Sequence, residues 1–359
     1  MYKSKLLVVF GGKSSEHSVS LVSAAGVIDN LNTELYDIIK VGITKEGKWL
    51  LTEADTAQIK NGSWELLKDN INVALSLNPD EKGLVLLYKD CYTVLPVDVA
   101  FPVMHGANGE DGTIQGLFEI ADIPYVGPGV AASANSMDKA ITKVIIDNAK
   151  IKQAKWLMVF SYDDKEETIN KIESNFSYPV FIKPSSTGSS VGISKAKNRN
   201  ELENAILEAS KYNTKIVIEE FINGHEIEVA VLGNRNPVAS VCGEIAPARD
   251  FYDFEAKYND NNSLLFIPAR IDEKTAEKVR EQAVKAYTAL DCVGLSRVDF
   301  FVTKDTNEII FNEINTIPGF TSISMYPKLF EASGIPYKEL LNKLVQLALE
   351  VKKEVPSNG

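Results

Sequence analysis

The sequence predicts a fold of mixed α/β and α+β class with three domains. A βαβ pattern opens the chain, with an apolar strand at residues 6–10, a helix at 18–31 and a second strand at 36–43, as in doubly wound sheets. A Pro/Gly break at 124–129 precedes a region of short helices and strands, and from Ile216 the chain is rich in strands. These changes predict domains at residues 1–128, 129–215 and 216–359.

Hydrophobic patterns place the remaining elements of the chain. Helices are expected at residues 113–121, 138–149, 165–175, 200–212, 273–290 and 337–354. Strands are expected at residues 97–103, 155–160, 180–183, 191–194, 216–220, 226–232 and 237–245. Residues 295–302 and 309–315 flank turn residues at 305–307, so they predict a β-hairpin.

Composition and charge exclude several functional classes. Of the 359 residues, 45% are hydrophobic and 24% are charged, as in a globular protein. The formal net charge of −11 argues against non-specific binding to nucleic acid or to anionic membranes. No apolar stretch approaches the ~20 residues of a membrane span, and we recognise no signal peptide. The three cysteines are far apart and favour neither a disulfide framework nor a zinc site, so we expect a cytoplasmic protein.

The predicted hairpin carries the most informative group of polar residues. Because alternate residues of a strand share a face, Arg297 projects beside Asp299, and Glu313 beside Asn315. Hard oxygen ligands suit Mg²⁺, which commonly binds together with substrate phosphates. The alternative is a surface hairpin with solvated charges, but the neighbouring phenylalanines favour burial, and buried charges need partners.

Two glycine-containing turns could bind anions. The sequence Gly-Gly-Lys-Ser at 11–14 is not a P-loop, because Leu7 stands where that motif requires glycine. It leaves a helix N-terminus, where Glu16 could interact with the helix dipole or with a substrate. The loop that follows Lys183, with its glycine and hydroxyl side chains, is a stronger candidate for holding phosphate. An ordinary hairpin loop would have a similar composition.

Several further segments could contact ligands. Residues 219–222 end a strand and could contact adenine and ribose, although adjacent acids are usually solvated. Glu226 could bond ribose hydroxyls. The aromatic and charged segment 249–258 could be a lid or a poorly packed surface loop. Gly319 allows a close backbone approach to a ligand, and Ser324 could bind a ligand or cap a helix.

Seven motifs in the same order make this chain resemble ATP-grasp enzymes, and closely the D-alanine–D-alanine ligases, over nearly its whole length. They occupy residues 11–20, 105–116, 136–139, 183–192, 252–258, 296–299 and 312–321. The resemblance implies an ATP-grasp fold with a Rossmann-like N-terminal domain, a small α+β central lobe and a larger C-terminal α+β domain. ATP is expected between the last two domains.

The resemblance also implies a reaction and a set of site residues. ATP would convert one D-alanine to D-alanyl phosphate, which the second D-alanine attacks, to supply peptidoglycan precursors. The residues implied to bind ATP are Lys139, Lys183, Glu219, Glu220, Phe221, Ile222, Glu226 and Lys257. The ligands implied for two Mg²⁺ ions, for which Mn²⁺ could substitute, are Asp299, Glu313 and Asn315. The residues implied to act on or bind D-alanine are Glu16, His105, Ser189, Tyr258, Arg297, Gly319, Ser324 and Met325.

Within these implied roles, Glu16 pairs with the ammonium of the first D-alanine. Ser189 and Tyr258 contact Glu16 as part of a lid, and Lys257 reaches the transferred phosphate. Arg297 and the N–H of residue 319 stabilise the tetrahedral oxyanion. The resemblance further implies a homodimer, and it leaves activation by a monovalent cation open.

Two other functions remain as alternatives at this point. Glycopeptide-resistance ligases, which join D-alanine to D-serine or D-lactate, typically carry Arg where this chain has Met325, and the D-lactate type lacks the pair Lys257-Tyr258. The D-serine type keeps that pair and is the closest alternative, because pockets discriminate poorly against an added hydroxyl. A non-catalytic nucleotide-binding regulator is more distant, because such a protein would be expected to lack some metal ligands or Arg297.

Overall fold

Three β-sheets organise the part of the chain that the structure describes. The structure is a computed structural model, and it describes residues 3–246 and 264–354. In chain order the sheets have seven, four and five strands. Helices connect the strands within each region. This arrangement confirms the predicted α/β and α+β class.

The first sheet contains the predicted βαβ unit. Strand β1 (Ser4–Gly11) leads through helix α1 (His17–Asn30) to β2 (Tyr36–Ile43), and β1 pairs in parallel with β2. On its other side β1 pairs in parallel with β7 (Val99–Val103). At the end of β1, Gly11 has a φ of +83° and its Cα faces the carbonyl of Ile43, so a side chain would collide there. The chain therefore turns sharply into α1.

The rest of the first sheet was not predicted. Four antiparallel strands extend it in the order β6-β5-β4-β3-β2-β1-β7. Their bounds are β3 (Trp49–Leu51), β4 (Ile71–Leu75), β5 (Gly83–Leu87) and β6 (Tyr92–Pro96). Helix α2 (Thr56–Asn61) and a 3₁₀ helix (Ser63–Leu66) lie between β3 and β4, and α3 (Thr113–Ile120) follows β7. The four strands are short and partly exposed, so no long apolar run marks them.

The second sheet has the order β10-β9-β11-β8 and is antiparallel. The helices and strands of this region, in chain order, are α4 (Val130–Met137), α5 (Lys139–Asn148), β8 (Trp156–Phe160), α6 (Lys165–Asn175), β9 (Val180–Pro184), β10 (Ser194–Ala196), α7 (Arg199–Ser210) and β11 (Lys215–Glu220). Asp138 caps α5, since its carboxylate accepts from the N–H groups of residues 140 and 141. Because β11 belongs to this sheet, a domain boundary after Glu220 would keep the sheet whole.

Two predictions in this region need correction. The predicted strand at 191–194 is wrong, because Ser189, Ser190 and Gly192 all have positive φ and form turns, so that β10 begins only at Ser194. Helix α4 was missed because its small and polar residues show no wide apolar stripe.

The third sheet contains the predicted hairpin and has the order β14-β13-β12-β15-β16. Its elements are β12 (Gly224–Leu232), β13 (Val238–Ala246), β14 (Leu264–Phe266), α8 (Glu273–Ala289), β15 (Leu295–Thr303), β16 (Ile309–Asn315), α9 (Met325–Ala332) and α10 (Tyr337–Glu354). Strands β15 and β16 pair antiparallel, which confirms the hairpin. The bounds of helix α9 were not predicted, but the sequence left open that Ser324 caps a helix, and Ser324 stands at the N-cap position of α9, with Pro327 in the first turn.

Packing around Phe320 joins the first sheet to the C-terminal region. Its ring lies 5.8 Å from that of Phe101 on β7 and 5.6 Å from that of Tyr326 on α9, measured between centroids. The side chain is fully buried. This contact fixes the segment that follows β16 against the carboxyl end of the first sheet. Among the described residues, the longest and most apolar helices still fall short of what crossing a membrane would require.

Candidate active site

The hairpin brings its predicted polar residues together. Arg297 faces Asn315 and Asp299 faces Glu313 in the register of β15 and β16. The Nε and Nη2 atoms of Arg297 donate to the two carboxylate oxygens of Asp299 at 2.8 and 2.7 Å, and the amide of Asn315 donates to Asp299 at 3.0 Å. Asp299 is 2% exposed, so the alternative of a solvated surface hairpin is wrong.

Glu228 completes this group and was not predicted. It lies on β12 directly opposite Asp299, is buried, and places Oε2 3.1 Å from Nε of Arg297. Burial alone would lower the pKa of Arg297, but the carboxylates of Asp299 and Glu228 raise it well above its usual value. Arg297 is therefore a buried, permanent cation. The sequence feature that could have identified Glu228 is its position two residues after Glu226 in an apolar strand.

A second buried ionic group lies between α5, β9 and β11. Nζ of Lys183 is 2.9 Å from one oxygen of Glu219, and Nζ of Lys143 is 3.3 Å from the other. Burial would raise the pKa of Glu219, but the two lysines hold it below its usual value. Lys183 also lies 3.3 Å from the side-chain oxygen of Asn312 on β16. Lys143 was missed, because its partner comes from a strand far along the chain.

A cavity of about 560 Å³ lies between the second and third sheets. Its lining includes Lys183, residues 219–222 and Glu226, which the sequence assigned to a nucleotide. Phe181 and Phe221 lie in the same cavity with ring centroids 6.2 Å apart, and Nζ of Lys195 sits 3.9 Å from the Phe221 centroid. The cavity thus offers both aromatic surface and lysine charge to a ligand.

A smaller cavity continues from this one toward the N-terminal domain. Asn312 and Glu313 line both cavities. The smaller cavity is also lined by Lys139, Ser189 and Asn315. Lys139, at the start of α5, places Nζ 2.6 Å from the carbonyl of Thr187 in the Gly/Ser loop. The predicted phosphate-binding residues and the hairpin therefore line two cavities that meet at Asn312 and Glu313.

Glu16 contacts Ser189, which lines the smaller cavity. Glu16 is 5% exposed, and its carboxylate accepts a hydrogen bond from the hydroxyl of Ser189 across the domains. Gly106 and Gly188 border the carboxylate so closely that a Cβ on either would meet Oε2. Glu16 was predicted from a helix start, and the structure brings it to the Gly/Ser loop as the lid contact requires.

His105 and Glu110 both hold the backbone of Ile317. Nδ1 of His105 donates to the carbonyl of Ile317 at 3.0 Å, and the carboxylate of Glu110 accepts from the Ile317 N–H at 3.4 Å. Nε2 of His105 lies 3.0 Å from the hydroxyl of Ser23, and burial lowers the pKa of this imidazole. Burial and the nearby Glu16 raise the pKa of Glu110 to about 8. Glu110 was not predicted, although it lies inside the 105–116 motif.

The residues after the hairpin form a tight turn before α9. The hydroxyl of Ser324 accepts from the N–H of Thr321 at 3.0 Å, and a Cβ on Gly319 would lie 2.7 Å from that hydroxyl. Ser324 stands at the N-cap position of α9 but makes no side-chain capping bond. Met325 is buried and its methyl group packs against Gly243 on β13. Its side chain is thus part of the core.

Part of the predicted site lies outside the described residues. Lys257, Tyr258 and the rest of the 249–258 segment belong to it, and their assignments stay predictions. Among the described residues, no three His, Cys, Asp or Glu side chains cluster as a metal site. The set Asp299, Glu313 and Asn315 contains only two acids, together with an amide.

Comparisons with known protein families match most of the chain. Residues 5–128 match the family described as D-ala D-ala ligase N-terminus, and residues 145–346 match D-ala D-ala ligase C-terminus. A D-alanine–D-alanine ligase of Acetivibrio thermocellus is 52% identical, over 97% of this chain and 96% of that protein. One from Clostridium acetobutylicum is 50% identical, over 96% of this chain and 98% of that protein.

Solved structures show the same similarity in three dimensions. The VanG D-Ala:D-Ser ligase from Enterococcus faecalis has a TM-score of 0.89 and 41% identity, covering 97% of this chain and 100% of that one. The D-alanine-D-alanine ligase from Coxiella burnetii has a TM-score of 0.87 and 33% identity, covering 99% of this chain and 96% of that one. These identities are high enough to compare sites as well as folds.

Proposed function

Since this chain belongs to the D-alanine–D-alanine ligase family and has its ATP-grasp fold, we propose that it joins two molecules of D-alanine with the hydrolysis of ATP to ADP and phosphate. The observation that carries this proposal is that the cavity with the predicted nucleotide residues shares Asn312 and Glu313 with a smaller cavity that contains Lys139 and Ser189. Ser189 in turn contacts the buried carboxylate of Glu16, which has the charge to bind the ammonium of an amino acid. The same family membership argues against a non-catalytic regulator.

The chemistry requires activation of a carboxylate. A carboxylate oxygen of the first D-alanine attacks the γ-phosphorus of ATP, ADP leaves, and an acyl phosphate forms. The amine of the second D-alanine then attacks the acyl carbon, loses a proton, and phosphate leaves. Such phosphoryl transfer depends on positioning and on neutralised phosphate charge. We assign Lys139 and Lys183 to the phosphates because each lines one of the two cavities near the Gly/Ser loop.

The donor set on the hairpin fits Mg²⁺. Asp299, Glu313 and Asn315 project from one hairpin face and offer the oxygen ligands that this ion prefers. Around them, the three carboxylates of Glu228, Asp299 and Glu313 accompany a single guanidinium, so added positive charge would be stabilised there. When bound, the ion neutralises phosphate oxygens. We therefore assign these three residues as its ligands, with Mn²⁺ able to replace it.

The buried charged residues fit the two amino acids. We assign Glu16 to the ammonium of the first D-alanine, with Ser189 holding its carboxylate in place. Arg297 and the N–H of Gly319 are assigned to the oxyanion that develops on the acyl carbon. His105 lines the first subsite as a neutral ring that fixes Ile317. Lys257 and Tyr258 retain their predicted lid roles, because an acyl phosphate must be shielded from water.

The remaining proposals concern organisation and setting. We propose domains at residues 1–128, 129–220 and 221–359, which moves the second boundary from the predicted position after residue 215 to the end of β11. We also infer a cytoplasmic homodimer from the resemblance of the motifs. Analytical ultracentrifugation tests the dimer directly, and a monomer at micromolar concentration would contradict it.

The second substrate is the open part of this function. The VanG D-Ala:D-Ser ligase is similar over the whole chain, which keeps D-serine as a second candidate. We favour D-alanine because the resistance-type ligases typically carry Arg where this chain has Met325, an apolar residue that is buried at the start of α9.

Product identification tests the proposal. Phosphate release is measured with ATP, Mg²⁺ and D-alanine, alone and with competing D-serine or D-lactate, and the dipeptides are identified by mass spectrometry. D-alanyl-D-alanine as the main product at neutral pH supports the proposal. Preferential D-alanyl-D-serine would assign the chain to the resistance type, and no turnover with any acceptor would refute ligation.

A further inference from the structure

We propose that Lys143 is a positioning residue for ATP: it keeps the charge of Glu219 compensated, so that Lys183 can leave Glu219 and bind the nucleotide phosphates. This inference rests on the proposed contact between Lys183 and ATP. It concerns a buried lysine to which neither the motifs nor the proposed chemistry gave a role. Lys143 is among the largest fully buried side chains of the described chain.

Glu219 has one oxygen for each lysine. Lys183 binds Oε2 at 2.9 Å, while Lys143 binds Oε1 at 3.3 Å from the opposite side. Glu219 itself is 4% exposed. A carboxylate this deeply buried needs a cationic partner, and removing one partner from a buried pair is strongly destabilising. Two partners on separate oxygens allow one to depart while the other remains.

The two lysines differ in their freedom to depart. Lys143 is anchored on α5 and is held from a third side by Gln153, whose oxygen lies 3.4 Å from its Nζ and whose amide donates to its backbone carbonyl at 2.7 Å. Lys183 ends β9 and lines the large cavity. Its other partner is the neutral side chain of Asn312 at 3.3 Å. Lys183 is therefore the cation that can turn toward a ligand, and Lys143 is the one that stays.

Without Lys143, the same geometry would work against ATP. Among the described residues, Lys183 would then be the only cation paired with Glu219. If Lys183 turned toward phosphate, it would leave a buried carboxylate charge without a partner. The free energy needed to separate Lys183 from Glu219 would then weaken nucleotide binding. The penalty depends on Glu219, so removing the charge of Glu219 should abolish it.

The test is a double-mutant cycle, in which Lys143→Met is made in the wild type and in the Glu219→Gln variant. Binding of the non-hydrolysable analogue AMP-PNP with Mg²⁺ is measured by calorimetry for the wild type, Lys143→Met, Glu219→Gln and the double variant. We expect Lys143→Met to weaken binding by about tenfold or more, because one partner of a buried ionic group is lost. In the Glu219→Gln background the same change should alter affinity by less than about threefold, because the pair no longer couples. Lys152→Met, which removes a surface ion pair with Glu308, is the control and should leave affinity unchanged.

Steady-state kinetics separate positioning from a general loss of structure. Lys143→Met should raise the KM for ATP while the KM for D-alanine changes little. If Lys143→Met does not fold, Lys143→Gln, which removes the charge but keeps a polar side chain, replaces it in both backgrounds. An equal loss of affinity in both backgrounds would mean that Lys143 contacts phosphate itself. An unchanged affinity in Lys143→Met would mean that this lysine has no part in ATP binding. Either result overturns the inference. Failure of the wild type to make dipeptide would refute the proposed function and leave this binding test intact.

Discussion

Two buried ionic clusters on either side of strand β16 have opposite charge imbalances. The lysine cluster has two cations, Lys143 and Lys183, around the single carboxylate of Glu219. The arginine cluster has the single cation of Arg297 between the carboxylates of Glu228 and Asp299. Each cluster therefore has room for a ligand of the opposite charge: phosphate beside the lysines, and a metal ion or an ammonium group beside the acids.

Strand β16 holds both clusters in register. Asn312 accepts from Lys183, and Asn315, three residues later, donates to Asp299. A ligand that carries both phosphate and metal would span the two clusters along this one strand. The comparison teaches that the described residues give each cluster an excess of one charge, which favours the proposed binding of ATP phosphates beside the lysines and of Mg²⁺ beside the acids.

The largest effect is expected from removing the single cation of the arginine cluster. Arg297→Met leaves two buried carboxylates without their shared partner, which should lower the free energy of unfolding by about 3–5 kcal/mol. If Arg297 stabilises the oxyanion, kcat should also fall by about 10²–10³. Urea unfolding and initial rates check both values.

Arg199→Met is the matched control for this variant. Arg199 contacts Glu166 and Glu173 at 2.6 and 2.7 Å, but its guanidinium is 38% exposed. Its loss should cost less than about 1 kcal/mol. Similar unfolding free energies for the two variants would show that burial does not distinguish the arginine cluster from a surface network.

Glu16 is a further buried acid of the proposed site, and a substitution of the neighbouring Gly188 tests its role. A Cβ on Gly188 would lie 2.7 Å from Oε2 of Glu16, so Gly188→Ala should turn the carboxylate away from its present position. Overpacking of this kind costs about 1–3 kcal/mol, which corresponds to a rise of roughly tenfold in the KM for the first D-alanine. Gly116→Ala is the control, because its Cβ on α3 would meet nothing within 4 Å. An unchanged KM in Gly188→Ala would argue against Glu16 as the ammonium partner.

The pH dependence of the free energy of unfolding tests whether burial and the nearby Glu16 raise the pKa of Glu110. Burial and Glu16 raise the pKa of Glu110 to about 8 in the folded state, so between the usual carboxyl pKa and pH 8 the folded protein holds a proton that the unfolded chain releases. The contribution of Glu110 to stability is present at low pH and is lost as pH rises to 8, with a slope of at most about 1.4 kcal/mol per pH unit. Glu110→Gln should remove this slope. Parallel stability curves for the wild type and the variant between pH 5 and 8 would contradict the raised pKa.

The sequence predicted the arginine cluster better than the lysine cluster for a physical reason. In a hairpin the strand period fixes which side chains share a face, so Arg297, Asp299, Glu313 and Asn315 could be placed together without tertiary information. The lysine cluster forms between a helix and two strands, and no local pattern relates Lys143 to Glu219.

The other features that the sequence did not predict also depend on contacts between residues far apart in the chain. Glu110 meets Ile317 only because Phe320 packs the C-terminal region against the first sheet. The fold class, the βαβ unit and the hairpin depend on local patterns and were confirmed. The short strands β3 to β6 depend on pairing with one another and were missed.

The smallest effect is expected at the aromatic wall of the large cavity between the second and third sheets. Nζ of Lys195 lies 3.9 Å from the ring centroid of Phe221, which is 38% exposed, so the pair forms one wall of the proposed adenine site. A cation–π contact of this exposure contributes about 0.5–1 kcal/mol, so Lys195→Met should raise the KM for ATP only about two- to fivefold. Lys155→Met is the matched control, because Lys155 covers the ring of Phe176 at 5.2 Å and does not line the cavity. Equal changes in the two variants would show that the wall formed by Lys195 and Phe221 does not contact the base, and that the nucleotide is held by the lysine cluster alone.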